Sequence, residues 1–393
     1  MSALRIALVH DWLTGYRGGE RVLHHLAQRF PDADLFTLFH TPGSVTPEIE
    51  DRRIITSVLD RLPYTAQHYR KLLLLFPWAI SRFDFHGYDL VLSTSHAVAK
   101  SIRVPADVPH LDYCFTPMRY VWDQIDAYLG RGLARWAATP AVRALQRFDV
   151  RTSGPRSVNR FVAISTDVAD RIWRHYGRQA NVVPPPVDQS WIEPSENPSK
   201  DYYLHVAGFV PYKRDSLVVE TFRRMKRRLI VVGDGPGRAA LERRATPNIE
   251  FVGRVEDAVL ADLYRHALAL IHPQREDFGL VAVEAQAAGR PVIAFGEGGA
   301  RDTVRPLVSD RASHDDMPPL DSAIAPSAWT GGPTGVFFHE PNCESLAIAI
   351  EEFEKAESLF DSAQIQSWAE RFSPARFDLA FDREIARVLG GPA

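Results

Sequence analysis

Short apolar runs, each followed by a glycine turn and a helix-forming segment, recur along this chain, and that alternation leaves it few possible folds. In the first half the runs cover residues 6–9, 35–39, 90–93, 111–115 and 161–164, with a helix at 21–29 after the first. Runs that are apolar throughout suit parallel strands covered on both faces, and β and α segments in alternation predict such a sheet. Pro184-Pro-Pro186 and the polar stretch to Lys200 interrupt the pattern as a linker would. A second series then follows at 202–206, 229–232, 249–252, 267–271 and 291–294, with a further strand at 334–338. At 393 residues the chain is long enough for two α/β domains, each with its own core. The expected fold class is α/β, with two Rossmann-like domains at 1–196 and 197–373.

One run within the second series carries most of the chemistry. In Pro273-Gln-Arg-Glu276-Asp-Phe-Gly279-Leu280-Val-Ala-Val-Glu284, two glutamates lie on either side of a glycine turn. The Ala-rich segment 280–288 is a good helix that Gly289 would terminate, and 291–295 is a short buried strand. The amides of Gly279, Leu280 and Val281 would stand at the exposed helix start, where a phosphate can bind. Glu276 precedes the first turn and Glu284 lies one to two turns in, so the two carboxylates would meet opposite ends of an elongated ligand. A nucleotide sugar is such a ligand. The spacing of two glutamates alone is a weak signal.

Their neighbours strengthen it. Val231-Val-Gly233-Asp-Gly-Pro236, Phe251-Val-Gly-Arg254-Val255 and Gly298-Gly-Ala-Arg-Asp-Thr-Val304 all run strand, glycine turn, helix. Together with Val210-Pro-Tyr-Lys213-Arg214, these segments resemble the retaining glycosyltransferases of family 4 over nearly the whole chain. That resemblance implies the GT-B architecture, two facing Rossmann-like domains with a cleft between them, and a final helix at 374–393 that returns to the first domain. It further implies that Lys213 neutralises the departing diphosphate, where Arg214 could assist or simply face solvent, and that Glu276 holds the donor-sugar hydroxyls. Glu284 would take the ribose, Arg254 and Val255 would border the base, Phe278, Gly279 and Leu280 would line the phosphate and sugar with backbone N–H groups, and the Gly233 turn belongs to the same donor site. Gly18 and Gly19 would bring backbone close to the diphosphate. Retention is expected, with the leaving phosphate taking the acceptor proton, so that no protein nucleophile is needed; two opposed carboxylates would be a different scheme. His10-Asp-Trp-Leu-Thr-Gly-Tyr-Arg-Gly-Gly-Glu20 and Thr116-Pro-Met-Arg-Tyr-Val-Trp-Asp123 look most like bacterial mannosyltransferases of envelope polysaccharide synthesis, which implies a GDP-sugar such as GDP-mannose and a carbohydrate or lipid-linked acceptor.

Two positions depart from the family pattern. Relatives often carry histidine where this chain has Phe115, and arginine at the position of Gly208, so two polar groups are lost near the reacting sugar. His96 ends a neighbouring strand segment and is a catalytic candidate, since ligands bind at carboxyl ends of parallel strands; a structural histidine is the plainer reading. Asp11, Trp12, Arg119, Tyr120, Trp122 and Asp123 are acceptor-binding candidates that could equally cap a loop or fill a core. An inactive nucleotide-sugar-binding homologue, a UDP-sugar transferase and a nucleotide-sugar epimerase are the competing readings; Lys213, Glu276 and Glu284 argue against the last.

Composition narrows the remaining classes. A formal net charge of −3 does not suit a nucleic-acid binder, and two cysteines make neither a disulfide framework nor a metal cluster. No metal or other cofactor is expected, and Asp32-Ala-Asp34 reads as a turn rather than a metal pair. The first strand begins without a signal-peptide pattern, and no apolar stretch has the length of a membrane span. Charge is uneven, with 23 Lys and Arg against 20 Asp and Glu over 1–196, and 23 against 29 beyond. Residues 61–82 hold Arg61, Arg70, Lys71 and Arg82 with no acid, interleaved with Tyr64, Tyr69, Leu72 to Phe76 and Trp78. Such a segment suits an interfacial helix on an anionic membrane, and the basic stretch 131–160 with Trp136, Leu145 and Phe148 adds to it. The alternative is a core helix with a basic edge. A cytoplasmic protein, peripheral on the inner membrane face, is the expectation. The Pro- and Ser-rich stretch 305–332 reads as a surface loop, a candidate to cover the donor site.

Overall fold

The computed structural model describes residues 4–62, 68–123, 125, 133–193, 201–307 and 331–390. Two units emerge, 1–185 with 377–393, and 186–376. Each is built on one all-parallel sheet.

The first sheet has seven strands in the order β3-β2-β1-β4-β5-β6-β7. They are β1 (Ile6–His10), β2 (Asp34–Thr37), β3 (Ile54–Thr56), β4 (Leu90–Ser95), β5 (His110–Cys114), β6 (Arg160–Ala163) and β7 (Ala180–Val182). The central strands are buried throughout, as runs apolar on both faces require. β3 and β7, one at each edge, were not expected. They have three residues each and only partial burial, so neither carries an apolar run that would mark it.

The second sheet has six strands in the order β10-β9-β8-β11-β12-β13. These are β8 (Tyr203–Val206), β9 (Leu229–Val232), β10 (Ile249–Gly253), β11 (Leu270–His272), β12 (Val292–Phe295) and β13 (Gly335–Phe338). In both sheets the order reverses direction once, between β1 and β4 and between β8 and β11. Adjacent loops leave opposite faces there, which opens a crevice at the carboxyl ends of the strands.

The domain boundary lies inside the Pro184–Pro186 run rather than at 196. The segment after it already packs on the second unit: the Val187 amide donates to the Phe372 carbonyl at 2.9 Å, and Gln189 Nε2 to the Ala369 carbonyl at 2.7 Å. Residues 194–200 of the expected linker lie outside the described residues. The last helix, Pro374–Val388, re-enters the first unit from Phe377 rather than from 374. There Phe377 and Phe381 stand edge-on to Tyr113, Asp378 accepts from His25 and Arg29, and Glu384 accepts from Arg160 and Asn181.

The basic segment at 61–82 is not one interfacial helix. It forms a 3-10 turn, Tyr69–Leu75, and a short helix, Phe76–Ile80. Tyr69, Phe76, Ala79 and Ile80 enter the core, while Leu74 and Trp78 remain 60% and 47% exposed. Tyr64 lies outside the described residues. In the helix Leu133–Arg151, Leu145 is buried and Trp136 exposed; Arg131 lies outside them, as do 308–330 of the Pro-rich stretch. No described helix is long and apolar enough to cross a membrane.

Candidate active site

In the second unit the chemistry gathers at the reversal between β8 and β11. Beyond β8 the chain makes a 3-10 turn, Pro211–Lys213, and passes through Arg214 in the left-handed region (φ 56°) into the helix Asp215–Met225. His205 anchors this turn, with Nδ1 3.0 Å from the Ile271 carbonyl and Nε2 3.0 Å from Asp215 Oδ1. Lys213 Nζ thereby comes 3.2 Å from Glu276 Oε1, in the loop after β11. Burial works to lower the Lys213 pKa, and the Glu276 charge and hydrogen bond more than offset it, raising it above the ordinary lysine value. Lys213 is a firmly held cation. Arg214 lies over the Phe295 ring, 4.2 Å from its centroid, and approaches the Pro273 carbonyl at 3.3 Å, so it braces the strand ends.

The Glu276 loop is held by glycines. The Gly299 amide donates to the Glu276 carbonyl at 2.8 Å, and a Cβ on Gly298 or Gly299 would fall 2.4 Å from Glu276 O or 2.3 Å from Phe278 Cα. Only glycine allows this approach. The Phe278 ring packs on Phe372 at 5.6 Å, which leaves its backbone for the lining expected of it. Gly279 (φ 96°) turns into the helix Leu280–Ala287, which ends one residue short of 288. Glu284, one turn in, is buried and accepts a hydrogen bond from Tyr264 at 2.9 Å. Gly233 (φ 124°) leaves no room for a side chain, since a Cβ would stand 2.1 Å from the Ala207 carbonyl oxygen. Its amide donates to Gly253 O at 2.7 Å, joining the ends of β9 and β10, where Arg254 is exposed and Val255 half-buried.

His272, the last residue of β11, was missed by sequence reasoning. It is 1% exposed, its Nδ1 lies 3.1 Å from Gln274 Nε2, and its Nε2 lies 4.0 Å from Glu276 Oε2. Burial lowers its pKa to about 4, so the ring is neutral. A histidine within an apolar run carries no sequence signal of function.

In the first unit the reversal lies between β1 and β4. His10 Nδ1 pairs with Thr94 Oγ1 at 2.7 Å, and its buried Nε2 stands 4.0 Å from Glu20 Oε1. Glu20 also accepts from the Arg17 amide at 3.0 Å, capping the helix Gly18–Arg29. A Cβ on Gly19 would make ordinary contacts with Phe115, at 3.4 Å, and His10, at 3.7 Å. The protein itself therefore does not demand glycine there.

Asp11 caps a loop, one of the two readings open to it. It is fully buried, and its two oxygens accept the amides of His96, Ala97, Val98 and Ala99 at 2.7 to 2.9 Å. Burial works to raise its pKa, but the charge and hydrogen bonds of His96, with His10 contributing, hold it well below the carboxylate range. His96 Nδ1 is 3.1 Å from Asp11 Oδ2, and the ring stands edge-on to Trp12 at 4.5 Å with a quarter of its side chain exposed. A fixed ring with one nitrogen on a carboxylate leaves the other for chemistry.

Trp12 also belongs to the core, against Tyr69, Phe76 and Tyr120. Tyr120 is buried there, and Arg119 half-buried. Trp122 stacks on His175 at 4.2 Å and donates to Asp149 at 2.8 Å, while Asp123 accepts from Arg171 at 2.7 Å. Tyr120 is thus part of the core, while Trp122 stays half-buried and Asp123 exposed. Asp34 accepts from Tyr88 and Arg53, and among the described residues no group of three or more His, Cys, Asp or Glu is placed to hold a metal ion.

Two parallel-sheet units with glycine turns, a lysine and two glutamates at strand ends define a GT-B glycosyltransferase fold. HepE of Anabaena, solved in complex with UDP, shares it with a TM-score of 0.69 at 16% identity, over 98% of this chain and 100% of that one. Glycosyltransferase Family 4 matches residues 16–191, and Glycosyl transferases group 1 matches 188–367. The two matches together run from residue 16 to residue 367. A D-inositol 3-phosphate glycosyltransferase of Geodermatophilus obscurus is 35% identical over 49% of this chain and 52% of its own length. A GDP-mannose-dependent alpha-mannosyltransferase of Mycolicibacterium smegmatis is 31% identical over 45% and 48%. The chain spans about half the length of the curated relatives it matches.

Proposed function

We propose that the protein is a retaining, metal-independent glycosyltransferase that moves mannose or a related sugar from a GDP donor to a carbohydrate or lipid-linked acceptor of the cell envelope. The observation that carries this reading is the Lys213–Glu276 pair beside the Gly279 helix start, with Glu284 one turn further on. Lys213 and the helix-start amides neutralise the diphosphate as the bond from the anomeric carbon to the phosphate oxygen breaks. The acceptor oxygen bonds to that carbon on the same face, and its proton passes to the departing phosphate. Glu276 binds donor-sugar hydroxyls and Glu284 the ribose; His96, held by Asp11, is the polar group of the first unit assigned to the reaction. The similarity to the mannosyltransferase of M. smegmatis supports the GDP-mannose assignment.

Calorimetric titration with GDP, UDP, GDP-mannose and UDP-glucose, with and without EDTA, tests the donor. Micromolar binding of the GDP series that EDTA leaves unchanged is expected. Binding of the UDP series alone would transfer the reading to a UDP-sugar transferase. Lys213→Ala should cut turnover far more than nucleotide affinity, and equal losses would remove its role. Binding without turnover across acceptors would favour a catalytically inactive homologue, which the Phe115 and Gly208 positions make the second reading.

Exposed Leu62, Leu74, Leu75 and Trp78, beside Lys71 and with Arg82 over the Trp78 ring, support a peripheral site on an anionic membrane at the inner face of the cytoplasmic membrane. Trp78→Ala with Leu74→Ala should weaken sedimentation with phosphatidylglycerol vesicles; unchanged sedimentation would return this face to solvent.

A further inference from the structure

The His272 imidazole has a buried Nε2 with no hydrogen-bond partner, an uncommon condition that calls for a reason. With the Gln274 amide donating to Nδ1, the ring proton belongs on Nε2, so the orphan is a donor. It points at two features of the donor site: Nε2 is 4.0 Å from Glu276 Oε2, and it stands 3.2 Å from where a Cβ on Gly279 would be. Glu276 is therefore flanked, with Lys213 at hydrogen-bond distance from Oε1 and His272 just beyond it from Oε2.

In the present arrangement Glu276 satisfies Lys213 and leaves His272 Nε2 beyond hydrogen-bond reach, and that bears on the reaction. A lysine that neutralises a leaving diphosphate has to loosen its pairing with Glu276, and a half-buried carboxylate that loses its cation needs another donor to keep its direction. We propose that His272 is the positioning residue that takes over Glu276: when a nucleoside diphosphate sugar binds and draws Lys213 to its phosphates, His272 Nε2–H closes on Glu276 Oε2 and keeps the carboxylate aimed at the sugar hydroxyls. The exchange needs the carboxylate to move by about an ångström, from 4.0 Å to an ordinary hydrogen-bond length. Burial keeps the ring neutral, so it retains the single proton the exchange uses and adds no second charge beside Lys213. This inference rests on the donor-site reading of Lys213 and Glu276.

The test uses the whole protein, whichever of GDP-mannose and UDP-glucose it binds, and the matching nucleoside diphosphate. His272→Phe keeps the ring volume and removes the donor, whereas His272→Gln places an amide N–H near the position of Nε2. His272→Phe should lower turnover and nucleotide-sugar affinity by about ten- to a hundredfold while leaving nucleoside diphosphate affinity unchanged, and His272→Gln should restore most of the loss. Equal behaviour of the two variants, or parallel loss of sugar-bearing and sugar-free ligands, would overturn the proposal. If the phenylalanine variant does not fold, nitrogen-15 spectra of the wild-type histidines decide. They should show a protonated Nε2 whose signal shifts on adding the nucleotide sugar, and a bare Nε2 or an unmoved signal would overturn it. Glu276→Ala separates the two levels of argument. Undiminished nucleotide-sugar affinity in that variant would remove both the donor-site reading and this one, whereas a loss there without any effect of His272→Phe would remove only the His272 role. Binding of neither nucleotide sugar would remove the site itself.

Discussion

At the scale of single residues, burial and pairing separate the chemistry from the scaffold. Glu284 is buried, and the Tyr264 hydroxyl donates to one of its oxygens and fixes the carboxylate. Glu284→Ala should weaken nucleotide binding about tenfold with a smaller change in turnover at saturation, measured by calorimetry and steady-state kinetics; unchanged affinity would remove it from the ribose. Asp11 shows the opposite case, a carboxylate that stands at a strand end yet is spent on four amides and an imidazole. Its folded pKa is depressed, so the unfolded chain binds the proton more readily and stability rises with pH in the acid range. The contribution is complete above the unfolded carboxylate pKa of about 4 and is lost as pH falls below it. Asp11→Asn should therefore cost about 3 kcal/mol near neutrality, and its melting temperature should approach that of the wild type as pH falls from 5 to 3. Asp, Trp and His after a first strand read identically whether they meet a ligand or a loop. Which they meet depends on residues 96–99, some 85 positions away, and sequence order does not reveal that.

At the scale of elements, the glycines were the most legible signals, and the structure divides them by purpose. Gly298 and Gly299 let two backbones meet, and Gly233 serves the joint between β8 and β9; none of these tasks requires a ligand. Gly233→Ala forces a Cβ against a carbonyl oxygen at positive φ, so a loss of about 2–4 kcal/mol is expected, read as a lower melting temperature of the second unit. Gly19→Ala, with only ordinary contacts around its Cβ, should leave that temperature within about a degree. If it also abolishes turnover, the space beside Gly19 is there for substrate. The short edge strands β3 and β7 were illegible because three residues at a partly buried edge are too few to show a hydrophobic period.

At the scale of the whole molecule, the chain closes on itself. The last helix adds Phe377, Phe381 and Glu384 to the sheet of the first unit, so that unit is completed only by residues that follow the second one. Deleting 377–393 removes two buried phenylalanines whose burial is worth about 1.5–3 kcal/mol each, uncovers the Tyr113 ring, and leaves Arg160 and Asn181 without Glu384. The truncated protein should show a lower melting temperature and faster proteolysis within 4–185, with the 186–376 unit protected as before. Equal protection of both units would show the helix to be dispensable. Two parallel α/β sheets and the order of their central strands along the chain could be read from local hydrophobic period and glycine placement, whereas Lys213, Glu276 and Glu284 were singled out by the resemblance of their segments to family 4. The joining of Lys213 to Glu276, the burial of Asp11, Trp12 and Tyr120, the boundary at Pro185 and the place of His272 were decided only by the tertiary structure. Those features depend on which strand ends lie side by side in a parallel sheet, and crossover connections bring together residues that no sequence window contains.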